Sequence, residues 1–519
     1  MSASTEKVVT MSDHIEHPRE SQHLEVEKVS TGADAAVEAL RGQDLDYTEE
    51  ENRRVLRKID LRLMPLMAFA CGIQLVDKSG LGAAATYGLR ESIGLVGDEY
   101  SWCVTIFYFG YLAGSFISGR GLQNFHAGKF MGVYFVAWGA TLLGCIGVQN
   151  YSGLLVLRFL LGFFESALVP GLLLITTMWY NHKEQPFRFG LWTVLNGLLP
   201  IPFLVIYYGL GNIKNSIEPW RLIFLMIGLV SVLYGVVIYF FLPDSPLSVS
   251  WLNDREKAVA VQRVAKDQTG VKNAQFKWEQ AREALTDYKV WLIVLSMLFS
   301  QAAGSVTTNF LGIIINGFGF SPLTTQLLTA PNFAVQAITQ ILVSALPTFS
   351  KRFRNLKQPL TAFASVIALI GIVIIKITPP TTENQYRRLA GVIIISCSGV
   401  NYTVIMSIIG TNIGGFTKKQ FTTSMAFFMY CVINIITPQT FLGAESPSYS
   451  TGLTFVMSLL SLFIVTIMAS WFSMLIENRR RDKLALTDPS YATGDDNMDL
   501  MSGLRDQTDS QNKHHRYSG

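Results

Sequence analysis

WRLIFLMIGLVSVLYGVVIYFFLPDSPLSVSWLNDREKAVAVQRVAKDQTG (Trp220–Gly270) runs from an apolar segment into a charged one, and each part is long enough to classify. A bilayer core needs about 20 consecutive apolar residues per helix, and 220–242 meets that length. Reading outward with the same ruler gives about six such runs on each side of the charged segment. Before it lie roughly 62–84, 100–119, 130–149, 152–180, 188–211 and 220–242; after it lie roughly 290–316, 323–347, 358–378, 388–413, 420–443 and 451–476. Internal prolines (Pro170, Pro200, Pro202, Pro331, Pro438) are tolerated where neighbouring helices satisfy the freed backbone groups. The expected fold is an all-α membrane protein of twelve transmembrane helices in two six-helix halves. Its expected segments are a disordered tail (1–57), a first bundle (58–243), a central loop (244–288), a second bundle (289–477) and a second disordered tail (478–519). Within the loop, NDREKAVAVQRVAKDQTG carries a helical pattern, with Asn253 as N-cap and Gly270 as stop.

Composition agrees. The 519 residues are 50% hydrophobic and 15% charged, with mean hydropathy +0.32. Soluble domains carry about 25% charged residues, so an ordinary cytosolic enzyme is excluded. The net charge of +4 sits mostly on residues flanking the apolar runs, which reports orientation rather than nucleic-acid binding. Arg53, Arg54, Arg57, Lys58, Arg62, Arg120, Lys129, Lys183, Arg188, the residues Arg255 to Lys289, Lys351, Arg352, Arg354, Lys357, Lys418, Lys419, Arg479, Arg480, Arg481 and Lys483 fall on one side. The other side receives Arg90, Lys214, Arg221, Lys376, Arg387 and Arg388. Both termini and the central loop are therefore expected in the cytoplasm. The opening MSASTEKVVTMSDHIEHPRESQH has no apolar core, so the first span serves as the targeting signal.

Charges inside spans are costly, about 2.5–3.5 kcal/mol each on the insertion scale, so the few present carry information. The first span has Gln74, Asp77 and Lys78, and the fourth has Arg158 and Glu165. Arg158 and Glu165 lie two helical turns apart on nearly one face. If both spans line one cavity, it holds two acids and two bases able to exchange partners. Lys78 or Arg158 suits an anionic substrate, arginine being able to grip a carboxylate with two hydrogen bonds. Asp77 and Glu165 are the carboxylates available for proton coupling. Spans seven to twelve offer amides and hydroxyls instead, among them Gln301, Asn309 and Asn401, with Gln336, Gln340, Asn412, Asn434 and Gln439. The expected substrate contacts are Lys78, Arg158, Gln74, Gln301, Asn309 and Asn401. Arg158 also suits a helix latch, and amides also serve as interhelical glue. Gly110–Gly114 and Gly410–Gly414 have the small-residue spacing of helix packing.

Several apparent signals fail. All seven histidines lie outside the spans and the five cysteines lie inside them, so neither a metal site nor a disulfide framework is expected. No phosphate loop is present, and Gly80 to Ala85 imitates a dinucleotide fingerprint with no strand before it. No cofactor is expected, and the chain does not read as an enzyme. The sequon at Asn150 lies close to the membrane, and the one at Asn401 lies within a span.

RFLLGFFESALVPGLLLITTMWY (Arg158–Tyr180) resembles the fourth-span signature of the anion:cation symporter group of the major facilitator superfamily. VDKSGLGAA (Val76–Ala84), YSWCVTIFYFGYLAG (Tyr100–Gly114), PDSP (Pro243–Pro246), DQTGVKNAQFKWEQAREALTDYKVW (Asp267–Trp291) and ENRRRDK (Glu477–Lys483) narrow the resemblance to the fungal allantoate permease family, over about residues 50 to 485. The resemblance implies the major facilitator fold and proton-coupled uptake of small organic anions, such as ureido acids or vitamins, across a plasma membrane. It implies roles for Asp77, Lys78, Arg158 and Glu165 in substrate and proton binding. Two departures stand out. The loop GRGLQNFHAGKF lacks the superfamily's acidic residue and has Asn124 where relatives often carry a base; NGLLPIPF differs from the antiporter motif of the fifth span. The expected partners are a small carboxylate, protons and the bilayer, with no nucleic acid, and the chain is expected to act as a monomer. Export of a secondary metabolite and nutrient sensing without transport are the rival readings.

Overall fold

The structure, a computed structural model, describes residues 47–181, 184–213, 217–267, 277–350, 353, 355–446, 448–487 and 507–518. Lys183, Lys214, Lys351, Arg352, Arg354, Gly270, residues 1–46 and residues 488–506 of the second expected tail lie outside these. Among the described residues, twelve helical segments are long and apolar enough to cross a membrane. They are Glu49–Thr86, Glu99–Asn124, Ala127–Gly147, Tyr151–Trp179, Arg188–Gly211 and Pro219–Phe241, then Tyr288–Asn309, Pro322–Pro347, Lys357–Ile377, Thr382–Asn412, Phe416–Gln439 and Ser450–Ala485. An even number of crossings puts both ends of the described chain on one face of the bundle, here termed the terminal face. Large apolar side chains such as Phe116, Leu233, Phe240, Phe363 and Val465 point outward, as a hydrocarbon solvent permits.

The first helix begins earlier than hydropathy suggests. Thr48 forms a capping box, its hydroxyl accepting from Glu51 N (3.2 Å) while its own N–H donates to Glu51 (3.1 Å). At 1.5 Å per residue the helix is about 57 Å long, well beyond the bilayer core. Residues 49–57, expected to be disordered, are its first turns. The projecting end binds the loop helix Asp254–Asp267 through Lys58–Glu256 (2.6 Å) and Arg255–Glu51 (2.9 Å). Arg263 of that helix is buried against Glu184 and Asn181, and Arg188 grips Asp60 with two hydrogen bonds (2.8 and 3.0 Å). The first loop helix is thus fixed to the first half, with Asn253 preceding it as expected.

The second loop helix, Trp278–Thr286, is fixed to the other half. Gln280 Oε1 accepts from the N–H groups of Thr417 (3.0 Å) and Lys418 (3.3 Å), satisfying the open end of the eleventh span. Lys418 is fully buried, and its ammonium meets Glu283 (2.9 Å), Asp287 (2.8 Å) and Asp509 (2.7 Å). Asp509 comes from the expected disordered tail. The last helix continues to Ala485, and residues 507–518 pack on the terminal face of the second half. Tyr517 donates to Asp509 Oδ2 (2.7 Å) and accepts from Lys289 Nζ (2.7 Å), while Arg481 donates to the carbonyls of Asp509 (2.9 Å), Asn512 (3.0 Å) and His515 (2.9 Å). Asn412 exchanges two hydrogen bonds with the backbone of Ser518 (2.7 and 3.0 Å). Gly414 lies beneath this segment, where a Cβ would come within 2.5 Å of Asp509 N, and Gly410 faces open space. Gly414 thus seats the tail, and the Gly410–Gly414 pair does not pack helices against each other. Gly110 and Gly114 do pack helices, lying against the backbone of Phe159 and Phe163.

The docked tail carries its own pH dependence. Burial pushes the His515 imidazole down, and Arg481 and Lys289 add to this against Asp509 and a backbone hydrogen bond. Burial raises the Asp509 carboxyl, but the Lys418 ammonium and the hydrogen bonds from Lys418 and Tyr517 outweigh it and hold it below the usual range. A depressed histidine stabilises docking fully above its ordinary pKa of about 6.5 and loses that contribution as pH falls. A depressed aspartate loses its contribution only below about 3.9. Hydrogen-exchange protection of 507–518 should therefore fall between pH 7.5 and 5, and His515→Gln should flatten that profile. Asp509→Asn should lower protection throughout. Protection independent of both substitutions would mean that the segment is not held by these contacts.

Candidate functional site

The first span presents Gln74 and Lys78 one turn apart on one face, and both reach the same carboxylate. Lys78 Nζ lies 2.8 Å from Glu165 Oε1, and Gln74 Nε2 donates to that oxygen at 2.6 Å. Glu165 is fully buried, and its Oε2 has no hydrogen-bond partner among the described residues. It sits at the end of the helix Tyr151–Glu165, before the short break that precedes Leu168. Close packing brings the fourth span up to the second. A Cβ at Gly162 would lie 1.9 Å from Phe107 O, and one at Gly110 would lie 2.0 Å from Phe159 O. Asn150 starts this helix, its side chain accepting from Gly153 N (2.8 Å), so the sequon asparagine is its N-cap.

Asp77 points elsewhere. Its Oδ2 accepts from the indole of Trp138 (2.9 Å) on the third span, and its Oδ1 accepts no hydrogen bond among the described residues. Trp138 is held in place because the third and sixth spans approach through Gly139, whose Cβ would meet Val232 N at 2.6 Å. Arg158 is 3% exposed, and among the described residues it makes no hydrogen bond or ion pair; its Nε is buried without an acceptor. Unpaired buried guanidinium groups are expensive, and this one lies two turns from Glu165.

The amides behave differently. Gln301 donates to Ser300 Oγ (3.0 Å), Asn309 to Ser305 O (3.0 Å), and Asn401 accepts from Ser365 Oγ (3.1 Å). None of the three hydrogen-bonds to the charged cluster among the described residues. Near the face opposite the termini the halves are joined by Tyr100 Oη to Asn309 O (2.8 Å), Thr105 Oγ1 to Ile435 O (3.1 Å), Gln439 Nε2 to Thr105 Oγ1 (2.8 Å) and Gly443 N to Asp98 Oδ1 (2.9 Å).

Sequence reasoning missed the aromatic residues. The Lys78 ammonium lies 5.5 Å from the Tyr111 ring centroid and 5.6 Å from that of Phe107. Tyr111 continues to Phe427 (5.4 Å), Phe427 to Tyr430 (6.0 Å) and Tyr430 to Tyr402 (5.6 Å), crossing from the second span to the eleventh and tenth. The available signal was YFGY (Tyr108–Tyr111), four residues of which three are aromatic on a span beside the charged ones.

Residues 67–438 match the Major Facilitator Superfamily profile. The chain belongs to that superfamily. The allantoate permease of Saccharomyces cerevisiae is 32% identical over 504 residues, 94% of this chain and 91% of the permease. An uncharacterised transporter of Schizosaccharomyces pombe is 34% identical over 491 residues, 95% of this chain and 91% of its own length. The structure of the proton:xylose symporter XylE superposes with a TM-score of 0.61 at 12% identity, covering 79% of this chain and 94% of that one. This major facilitator protein is accordingly a multi-pass membrane protein of a transporter family, and its similarity to the fungal allantoate permeases bears out the resemblance.

Removing one partner of a buried ion pair strands the other and costs about 3–5 kcal/mol, whereas replacing both with apolar groups is often neutral. Lys78→Met should therefore lower the thermal unfolding midpoint in detergent, and Lys78→Met/Glu165→Met should recover most of the loss. Equal loss in the single and double variants would show that the pair contributes no coupling.

Proposed function

We propose that this protein couples inward movement of protons to uptake of a small organic anion across the plasma membrane, with both termini in the cytoplasm. The observation that carries the reading is a charge-balanced buried cluster in which one base is paired and the other is not. Lys78 is held by Glu165, while Arg158 is buried and, among the described residues, makes no hydrogen bond or ion pair. A substrate carboxylate is received by Arg158, for which the planar guanidinium is suited, and competes with Glu165 for Lys78. Protonation of Glu165 neutralises the competitor and releases the ammonium. Asp77, with one oxygen on Trp138 and one free of partners, is the second proton acceptor. Gln74 steadies Glu165, and Gln301, Asn309 and Asn401 remain candidates for the rest of the substrate once the halves rearrange. The family's transport role and the permease similarity support the anion, and the basic flanks support the orientation. With the terminal face inward, the hydrogen bonds at the opposite face hold the halves together on the outer side of the site.

The measurement is uptake of labelled allantoate, ureidosuccinate, nicotinate and pantothenate by permease-deficient yeast expressing the protein. Accumulation of at least one anion should be greater at pH 5 than at pH 7.5 and should collapse with a protonophore. Arg158→Ala should reduce it to background, at least tenfold, with surface expression unchanged. Accumulation indifferent to pH and protonophore would exclude proton coupling, and loss of surface protein in Arg158→Ala would make that residue a structural latch.

A further inference from the structure

Asp77 turns away from the Lys78–Glu165 pair, and two buried hydroxyls near it have no employment elsewhere in the bundle. Tyr207 Oη on the fifth span and Ser231 Oγ on the sixth lack a hydrogen-bond partner among the described residues, as does Asp77 Oδ1. Tyr207 is 1% exposed, and Ser231 and Asp77 are fully buried. Glycine contacts locate both hydroxyls. A Cβ at Gly80, one turn beyond Asp77, would lie 3.9 Å from Tyr207 Oη and 2.7 Å from Ile227 Cδ1. Ser231 lies one turn after Ile227, which faces the first span, and after Gly228, which packs on Leu143 of the third. Ser231 is thereby turned toward the angle between those spans, where Trp138 meets Asp77. The Tyr207 phenol is within electrostatic reach of the Asp77 carboxylate.

These groups are chemically matched. Trp138 can only donate, and so can Lys78 and Arg158, the bases within electrostatic reach of Asp77; Glu165 and the Cys145 thiol are the other titratable groups facing it. Donors suit an ionised carboxylate. Once protonated, the same carboxyl carries an O–H that needs an acceptor, and a hydroxyl serves both forms. A phenyl ring at position 207 would fill the space without burying an unsatisfied hydroxyl, a cost of about 1–3 kcal/mol. Depth adds a direction. Asp77 lies nine residues, about 14 Å, before the end of the first helix at Thr86, and Tyr207 lies four residues, about 6 Å, before the end of its helix at Gly211. Tyr207 therefore stands between Asp77 and the face opposite the termini.

From this arrangement we infer that Tyr207 is a positioning residue for the Asp77 proton: its hydroxyl donates to Oδ1 when the carboxylate is ionised and accepts from it when it is protonated, with Ser231 as the second hydroxyl beside it. The two are not joined in this conformation, and the contact forms as the Asp77 side chain turns toward Gly80. The proton is then held behind the first span, within the first half, while Lys78 and Arg158 address the anion. This assignment rests on the proposed role of Asp77 as a proton acceptor.

Infrared difference spectroscopy of the purified full-length protein, titrated from pH 4 to pH 9, reads the proton without a substrate. A protonated-carboxyl band that Asp77→Asn abolishes should titrate in that range. Tyr207→Phe should raise the frequency of this band, because the acid loses a hydrogen bond, and should move its midpoint by at least about one pH unit, a tenfold change in proton affinity. Ser231→Ala should move both by less. Tyr207→3-fluorotyrosine keeps the hydroxyl and changes its acidity; it should shift the band with the thermal unfolding midpoint unchanged, and it carries the test if Tyr207→Phe does not fold. A hydroxyl that only fills space would alter unfolding and leave the band alone. An Asp77 band identical in frequency and midpoint in the Tyr207 variants would overturn the inference and leave Asp77 as a proton acceptor. A spectrum with no band removed by Asp77→Asn would overturn that acceptor and the inference together.

Discussion

A charge taken out of water must find its opposite, and in this bundle that requirement is met by Lys78 and Glu165 across the first and fourth spans. Neither residue is tolerable alone in a membrane interior. The remaining features place the two within reach: Gly162 and Gly110 bring the fourth span against the second, and Gln74 reinforces the shared oxygen. With Asp77 and Arg158 the cluster contains two acids and two bases, so its formal charge is zero with every group ionised. An entering anion would leave it at minus one. Accepting one proton restores neutrality, which gives coupling of one proton to each anion an electrostatic basis independent of which carboxylate takes the proton.

The terminal face is organised by half rather than by loop. One loop helix is bound to the projecting first span and the fifth, through Glu256, Arg255 and Arg263; the other is bound to the eleventh through Gln280 and Glu283. Residues 507–518 add a second layer to the second half only, through Lys418, Lys289, Arg481 and Asn412. These contacts tie each loop helix to its own bundle, so movement of one half relative to the other need not break them.

Much of the fold was legible because its cause is local. Twenty apolar residues read as a span in any context, and an acid or base within such a run stands out. Partner choice was not legible, because spacing along one helix says nothing about which helix lies opposite. Arg158 and Glu165 share a face, yet Glu165 pairs with Lys78, and the donor to Asp77 is Trp138 on a span with no charged residue in its interior. The tail reads as unstructured from composition for the same reason. Asp509 and Tyr517 are ordinary polar residues until they meet Lys418 and Lys289, more than 90 residues and more than 200 residues away in sequence. Nor does the sequence show what the second-half amides meet: Gln301, Asn309 and Asn401 each hydrogen-bond to a group of their own half, Ser300, Ser305 and Ser365 respectively.

The two halves contribute unlike chemistry. Every charged group of the cluster comes from the first half, while the second supplies Tyr402, Phe427 and Tyr430 at the junction. A ligand seated between them would have its charge held by one half and its body by the other. That division makes the ligand itself a connection between the halves, which also touch through the ring contacts Tyr111–Phe427 and Tyr108–Tyr430. Ring contacts are tolerant of sliding, since each contributes only about 0.5–1.5 kcal/mol beyond its area, whereas the ion pair fixes its partners closely. Rearrangement is therefore cheapest at the aromatic junction and most costly within the charged half, which suits a first half that stays intact while the second moves against it.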